Sequence, residues 1–445
     1  MSIDWLSFAA LATVIALFAV IFILRKKKVN FTLLILGTLV AGVVVGIIFS
    51  GHTSYITPIG KIYVSVLNAM VIPIISISII SSVTSLSGVA QLKGIGLKSI
   101  LWLLTTTLIA IVLTIGLGLT FGVGKDSYLS IEGVDASSFT NKVTSFSEVV
   151  VNFFPRNIIS DMADENTIPV ILFVLLISVS YVLVANKNPE KVKPFKDFVE
   201  AAKEVIFKAL SIVVRLTPYA VLSLIATSIG NGVNKKGMLW SLVVLLIVSF
   251  IAFVIDTWVI NGALISLFTN LNPIYFFRKI FPAQVIAFST QSSAGTLPVS
   301  LDILKNKIGV DEKVADVTTP LGTTIGMPGC AGIWPVIIAI YGINGLGINF
   351  SASQYVLLVV VSLFISLGTA GVPGTATVTT ASLLTILGLP LELIVLTLPI
   401  SSIADTGRTA TNATAAIVSA TLVAASEDEI HEVEDKEWRK EYAKI

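Results

Sequence analysis

Charge is scarce in this chain. Of its 445 residues only 13% are Asp, Glu, Lys or Arg, and 55% are hydrophobic, where a soluble domain carries about 25% charged residues. So few charges cannot cover a water-soluble surface, and the apolar side chains must meet lipid or one another. The two signs nearly cancel, at a net +2, too small an excess to suggest a nucleic-acid partner. Cysteine is all but absent: Cys330 stands alone and excludes an intramolecular disulfide. The two histidines, His52 and His431, are far apart in sequence and do not read as a metal pair. What the chain has is long apolar runs, with a mean hydropathy of +0.93.

A spanning helix needs about 20 mostly apolar residues. Segments 5–24, 31–50, 60–87, 99–123, 167–185, 204–229, 238–268, 315–343 and 391–425 read as crossings of an all-α polytopic membrane protein, about nine in all. The first lacks a basic n-region and is followed by Arg25-Lys26-Lys27-Lys28, so it reads as an anchored span and not as a cleaved signal. The basic loops 25–28, 88–98 and 186–203 alternate with acidic or neutral ones, among them 124–166. By the positive-inside rule the N-terminus is expected outside, and an odd number of crossings places the tail 426–445 in the cytoplasm as a solvated amphipathic helix.

Two further apolar segments are too interrupted to cross. Residues 281–304 contain Ser289-Thr290-Gln291-Ser292-Ser293-Ala294-Gly295-Thr296-Leu297-Pro298, and residues 355–387 contain Gly368-Thr369-Ala370-Gly371-Val372-Pro373-Gly374-Thr375. Apolar arms around a tip of small, hydroxylated and Gly/Pro residues read as re-entrant hairpins whose backbone groups are free to bind a ligand. Each precedes a span expected to be interrupted, at Gly322–Gly332 and at Asp405–Asn412. Such paired interruptions point to a mid-membrane site in a secondary transporter; the plainer reading is that Gly and Pro are common in membrane helices.

Asp405, Arg408, Thr409 and Asn412 fall at i, i+3, i+4 and i+7, one face of a helix, and Ser401 extends the stripe a turn back. A mid-bilayer charge costs at least about 2.5–3.5 kcal/mol. Two readings stay open: a buried ion pair that holds helices together, or a cradle in which Asp405 takes an α-ammonium, Arg408 grips a carboxylate and Thr409 and Asn412 add neutral hydrogen bonds. The stretch Pro320–Gly332 cannot be one helix because Pro328 lacks an N–H. Its unwound carbonyls and the Thr324 hydroxyl can ligate a cation or simply form a packing kink. Asp256 and Arg215 are the other intramembrane charges and receive no function. Asp256 and Asp405 lack the Gly-x-Gly-Asp context of an intramembrane aspartyl protease, and a passive channel does not require a zwitterion cradle. The chain therefore reads as a transporter and not an enzyme.

These residues resemble the dicarboxylate/amino acid:cation symporter family, from about residue 31 to 425. The marks are Ser292-Ser293-Ala294-Gly295-Thr296-Leu297-Pro298, Gly368-Thr369-Ala370-Gly371-Val372-Pro373-Gly374 and Asp405-Thr-Gly-Arg408-Thr409-Ala-Thr-Asn412. Sodium-coupled aspartate transporters of that family read Asn-Met-Asp-Gly-Thr in the broken span; here the segment is Gly326-Met327-Pro328-Gly329-Cys330. Their last span also has an Asp four residues after the Asn, where this chain has Ala416. The Gly329-Cys330-Ala331-Gly332 break and the extra N-terminal span are more similar to the bacterial branch that takes up L-cystine.

The resemblance implies a substrate site at Ser292, Ser293, Ala294, Gly371, Val372, Asp405, Arg408, Thr409 and Asn412. It leaves at most one Na⁺ position, at Thr324, Met327, Ser366, Leu367 and Thr369, and no other cofactor. It further implies a homotrimer in the plasma membrane working as an inverted-repeat elevator. In that division residues 1–30 form an extra helix and basic loop, 31–268 are mainly scaffold, and 281–425 are the mobile core with two hairpins and two broken helices. Cation-coupled import of L-cystine or a related amino acid is the expectation; a proton- or sodium-coupled aspartate/glutamate symporter is the alternative.

Overall fold

The computed structural model describes residues 4–29, 31–84, 93–125, 127, 151, 154–164, 167–230, 235–369 and 375–431. Among them the regular structure is helical, apart from one antiparallel bridge between Val310 and Ile430. Four helices are long and apolar enough to cross a bilayer unaided: Trp5–Lys26, Gly94–Thr120, Leu239–Phe268 and Pro328–Gly345. A fifth crossing is available if the pair Pro189–Val213 and Thr217–Thr227, bent by 45°, counts as one. Nine such spans were expected, and the difference has local causes. The expected span 60–87 divides into α3 (Thr57–Ala69) and α4 (Val71–Thr84), and 31–50 and 167–185 survive as the shorter apolar helices α2 (Phe31–Ile48) and α7 (Thr167–Ala185).

Between them lie α1 (Trp5–Lys26), α5 (Lys93–Thr120) and α6 (Ile158–Ala163). Helices α8 (Pro189–Val214) and α9 (Thr217–Gly230) meet at Arg215 and Leu216, both exposed, so Arg215 marks a bend and not a buried charge. Glycines let α2 and α9 approach closely: a Cβ on Gly46 would lie 2.7 Å from the Ala226 carbonyl oxygen. Without water to drive association, such small-residue contacts are how membrane helices pack. Large apolar side chains face outward, with Leu267 76% and Trp5 74% exposed, as a lipid-facing surface requires.

The second half builds the site. Helix α10 (Lys235–Val254) passes through a π-turn, Ile255–Ile260, into α11 (Asn261–Phe268). The first hairpin is α12 (Pro273–Thr290) and α13 (Ser293–Ile303); its first arm begins eight residues earlier than the apolar run suggested, where Asn272 caps the helix. Then come α14 (Glu312–Leu321), a π-turn Pro328–Ile333, and α15 (Trp334–Gly345). The second hairpin has arms α16 (Ala352–Ser366), opened by a Ser351–Gln354 capping box, and α17 (Thr375–Ile386). The chain closes on α18 (Glu392–Ser426).

Two expectations are corrected. Helix α18 is one uninterrupted helix of 35 residues through Asp405–Asn412, and not a second broken span. Charges alone do not break a helix, and the hydroxyls of Thr411 and Thr414 bond back to the Gly407 and Ala410 carbonyls within it. Among the described residues the tail is not helical over 427–431: Ile430 bridges Val310, and His431 N–H donates to the Gly309 carbonyl at 2.8 Å. Lys98 anchors this end, pairing with Glu427 at 2.5 Å and donating to the Ser426 carbonyl, where a cation suits the negative pole of α18. Residues 432–445 lie outside the described set.

Candidate functional site

Helix α18 carries the charged face; two breaks meet it, and a third joins the second. The first is the tip of hairpin one. Gln291 takes a left-handed conformation, φ 54°, that ends α12. Ser292 then caps α13, its hydroxyl accepting from Gly295 N–H at 3.0 Å. Gln291 Nε2 donates to the Ser402 carbonyl at 3.0 Å, which holds this tip one turn before Asp405. Ser293 is buried there and Ala294 is exposed.

The second break lies between α14 and the π-turn. Gly326 has φ +63°, and a Cβ there would also fall 2.6 Å from the Leu103 carbonyl oxygen, so only glycine fits. Past it Met327 is extended and Pro328 starts the π-turn. The turn is joined to α18 through Asn412, whose Oδ1 accepts from Gly329 N–H at 2.8 Å while Nδ2 donates to Cys330 Sγ at 3.0 Å. Thr379 of hairpin two donates to the Cys330 carbonyl at 2.7 Å.

The third break follows α16. The Ser366 carbonyl accepts from Gly326 N–H at 2.9 Å, bringing the two unwound segments together. Leu367 packs on Leu103, Leu321 and Ile325, and Thr369 is fully buried. The Gly326–Ser366 bond joins the unwound segment holding Thr324 and Met327 to the one holding Ser366, Leu367 and Thr369, and backbone oxygen is the donor type that suits a hard cation. The Ser366 carbonyl retains a second lone pair for such an ion. Among the described residues Pro328 occupies one place expected for a carboxylate, and at the other Ala416 fills the space beside Gly322, where an added Cβ would lie 2.5 Å from Ala416 Cβ.

On α18 itself Arg408 Nη2 is 3.0 Å from Asp405 Oδ1, the arginine side chain 4% exposed and the aspartate 17%. Arg408 also donates to the Ser401 carbonyl at 2.9 Å and to its hydroxyl at 3.3 Å. Its guanidinium carbon lies 4.9 Å from the centre of the Trp334 ring, a cation–π distance. Asp405 therefore keeps an open edge, while Arg408 is fixed from three sides with its Nε unpartnered. Thr409 and Asn412 are buried on the same face. Gly371 and Val372, the expected closing tip of hairpin two, lie outside the described residues.

Asp405, Arg408, Thr409 and Asn412 thus share the face that their spacing predicted, and Ser292–Ala294 meet its near end. Reading the sequence alone missed Trp334, Gln291 and the Asn412–Gly329 link. The first two are through-space contacts over 74 and 111 positions with no motif to announce them.

Comparison with known proteins agrees with this architecture. The chain is 30% identical over 429 residues to an L-cystine uptake protein, TcyP, of Bacillus thuringiensis subsp. konkukian, covering 90% of each chain. It is 30% identical over 445 residues to the protein of the same name from Shouchella clausii, covering 93% of each. The likeness to that of Bacillus licheniformis is 29% over 431 residues, 91% of this chain and 92% of the relative. The pattern of the sodium:dicarboxylate symporter family matches residues 31–426. With that match running from α2 through both hairpins and the charged helix, the chain is a multi-pass membrane transporter, not an enzyme, and belongs to the sodium:dicarboxylate symporter family.

Proposed function

We propose that this protein imports L-cystine, or a closely related amino acid, by cation-coupled symport. The observation that carries the reading is the Asp405 carboxylate, 17% exposed, beside a buried, triply held Arg408. An ammonium docks on the accessible carboxylate edge and a carboxylate meets the remaining guanidinium donors. The relatives named as L-cystine uptake proteins support the choice of solute. Ser292, Ser293 and Ala294 bound the substrate on one side, Gly371 and Val372 on the other, with Thr409 and Asn412 beneath.

Coupling rests on one Na⁺ held by the carbonyls near Met327, Ser366, Leu367 and Thr369 with the Thr324 hydroxyl. Pro328 and the Ala416–Gly322 packing leave no carboxylate for further sodium at that joint. The working unit is a homotrimer in which residues 281–425 move as an elevator past a scaffold drawn mainly from 31–268. Residues 1–30 supply an added helix, the N-terminus faces outward and the tail 426–445 is cytoplasmic.

A second reading, symport of aspartate or glutamate, is favoured by the family's dicarboxylate members and by the free Nε of Arg408. Proteoliposomes accumulating labelled L-cystine under an imposed Na⁺ gradient separate the two. Unlabelled cystine should abolish the signal and aspartate should not; the reverse order of competition selects the second reading.

A further inference from the structure

A second polar cluster lies in the same half of the molecule, outside the site described above. It begins at the π-turn Ile255–Ile260, where Asp256 is 1% exposed. Among the described residues Asp256 has no cationic partner. Among the described residues its side-chain hydrogen-bond partner is Asn261, whose Nδ2 donates to the Asp256 carbonyl at 2.7 Å and to Oδ2 at 3.4 Å. Both Asp256 Oδ1 and Asn261 Oδ1 are buried without a hydrogen-bond partner.

A third unpartnered oxygen belongs to Gln284 on α12, itself 5% exposed. Its Nε2 donates to the Thr414 hydroxyl at 3.0 Å, and that hydroxyl in turn donates to the Ala410 carbonyl. The amide orientation follows from this chain of donors, and it leaves Oε1 as the free acceptor.

Two independent registers put these groups at one depth. Helices α11 and α12 are joined by the short connection 269–272 and run antiparallel, with Gly262 against Phe277. Six residues back from Gly262 is Asp256, and seven on from Phe277 is Gln284. At 1.5 Å per residue these are about 9 and about 10.5 Å from the contact, in the same direction. The partners on α18 agree: Thr257 meets Thr411 at 3.0 Å and Gln284 meets Thr414, and positions 411 and 414 share a face.

One carboxylate oxygen, Asp256 Oδ1, and two amide oxygens, all buried and all acceptors, lack a donor. A single proton on Asp256 would serve one amide oxygen and leave the other unmet. A metal cation of charge +1 accepts all three, matches the one negative charge and is of the hard class that takes oxygen ligands. We propose that Asp256, Asn261 and Gln284 form a binding site for a monovalent metal cation, Na⁺ by hardness, in the wall between α11, α12 and α18. It is distinct from the joint at Gly326 and Ser366, and it stands whether or not L-cystine is the solute.

The test uses the purified full chain in lipid nanodiscs without any amino acid, with ²²Na⁺ at equilibrium. At saturation Asp256→Asn should bind one Na⁺ fewer per chain than wild type. Gln284→Leu keeps the carboxylate and should weaken the same Na⁺ by roughly tenfold, as loss of one contact to a charged group does. An unchanged Na⁺ count in Asp256→Asn overturns the proposal. If Asp256→Asn fails to fold, Gln284→Leu decides alone, and an unchanged Na⁺ affinity there overturns it. A third readout is the gain in thermal stability from NaCl over choline chloride at constant ionic strength. It should shrink in Gln284→Leu; a gain that follows pH and not Na⁺ would identify a proton site and refute the metal.

Discussion

Gly329 N–H donates to Asn412 Oδ1 at 2.8 Å, and this bond ties the break in the broken span to the middle of the charged helix. Both groups are buried, so neither has water as a substitute. Asn412 holds the π-turn Pro328–Ile333 with its oxygen and Cys330 with its nitrogen. In the conformation described here it shapes the floor of the pocket before it touches any solute.

Asn412→Leu keeps the branching at Cγ but leaves Gly329 N–H without an acceptor. A buried unsatisfied donor costs about 1–3 kcal/mol, so the variant should melt below wild type in the same detergent and lose transport. Wild-type melting with lost uptake would show that Asn412 acts only on the solute.

Asp405→Asn should abolish measurable uptake while oligomer size stays unchanged by gel filtration. The lost charge-assisted bond to an ammonium is worth roughly 1.5–3 kcal/mol, or about 10- to 150-fold in affinity. Uptake within about twofold of wild type, the factor that only ~0.4 kcal/mol produces, would assign the Asp405–Arg408 pair to structure alone.

The tip of hairpin two is expected to close over bound solute. In a Cys330→Ser background, which keeps an acceptor for Asn412 Nδ2, Val372→Cys should react more slowly with a membrane-impermeant thiol reagent when substrate is saturating. Equal rates with and without substrate would remove hairpin two from the gate.

Asp4 caps the first helix through Leu6 and Ser7 N–H and pairs with His52 at 2.9 Å. The Ser7 hydroxyl first and His52 second hold its carboxyl at about 2, below the ordinary 3.8. A depressed carboxyl stabilises the fold above its ordinary value, and that contribution fades as pH falls from near 4 through about 2. Trp5 adjoins the cap, and its fluorescence should change across that window in wild type and stay flat in Asp4→Asn.

Much of this was legible in the sequence because glycine and proline act locally. Gly326 and Pro328 dictate the break in the broken span, and Ser292 announces a helix start wherever the chain goes next. Spacing put Asp405, Arg408, Thr409 and Asn412 on one face, which needs only 3.6 residues per turn. The expected interruption of that helix was not there, since intact backbone bonds carry it past a charged pair that Ser401 and Trp334 satisfy. Contacts such as Gln291 with Ser402 depend on how hairpin and helix dock, which no local pattern records. The bends inside apolar runs were not legible for a related reason: apolar composition does not reveal where a run turns, as at Met70 or Arg215.

The pairing of Arg408 with Asp405 also has an electrical meaning. Moving one elementary charge through a membrane potential involves about 2.3 kcal/mol per 100 mV. The two side chains sum to zero, so a moving unit that bears them crosses the field without work on their account, and a zwitterionic solute adds none. In an inside-negative cell the voltage therefore acts through the cations that load the unit and through any buried carboxylate they leave bare. The current per solute carried becomes a count of those ions.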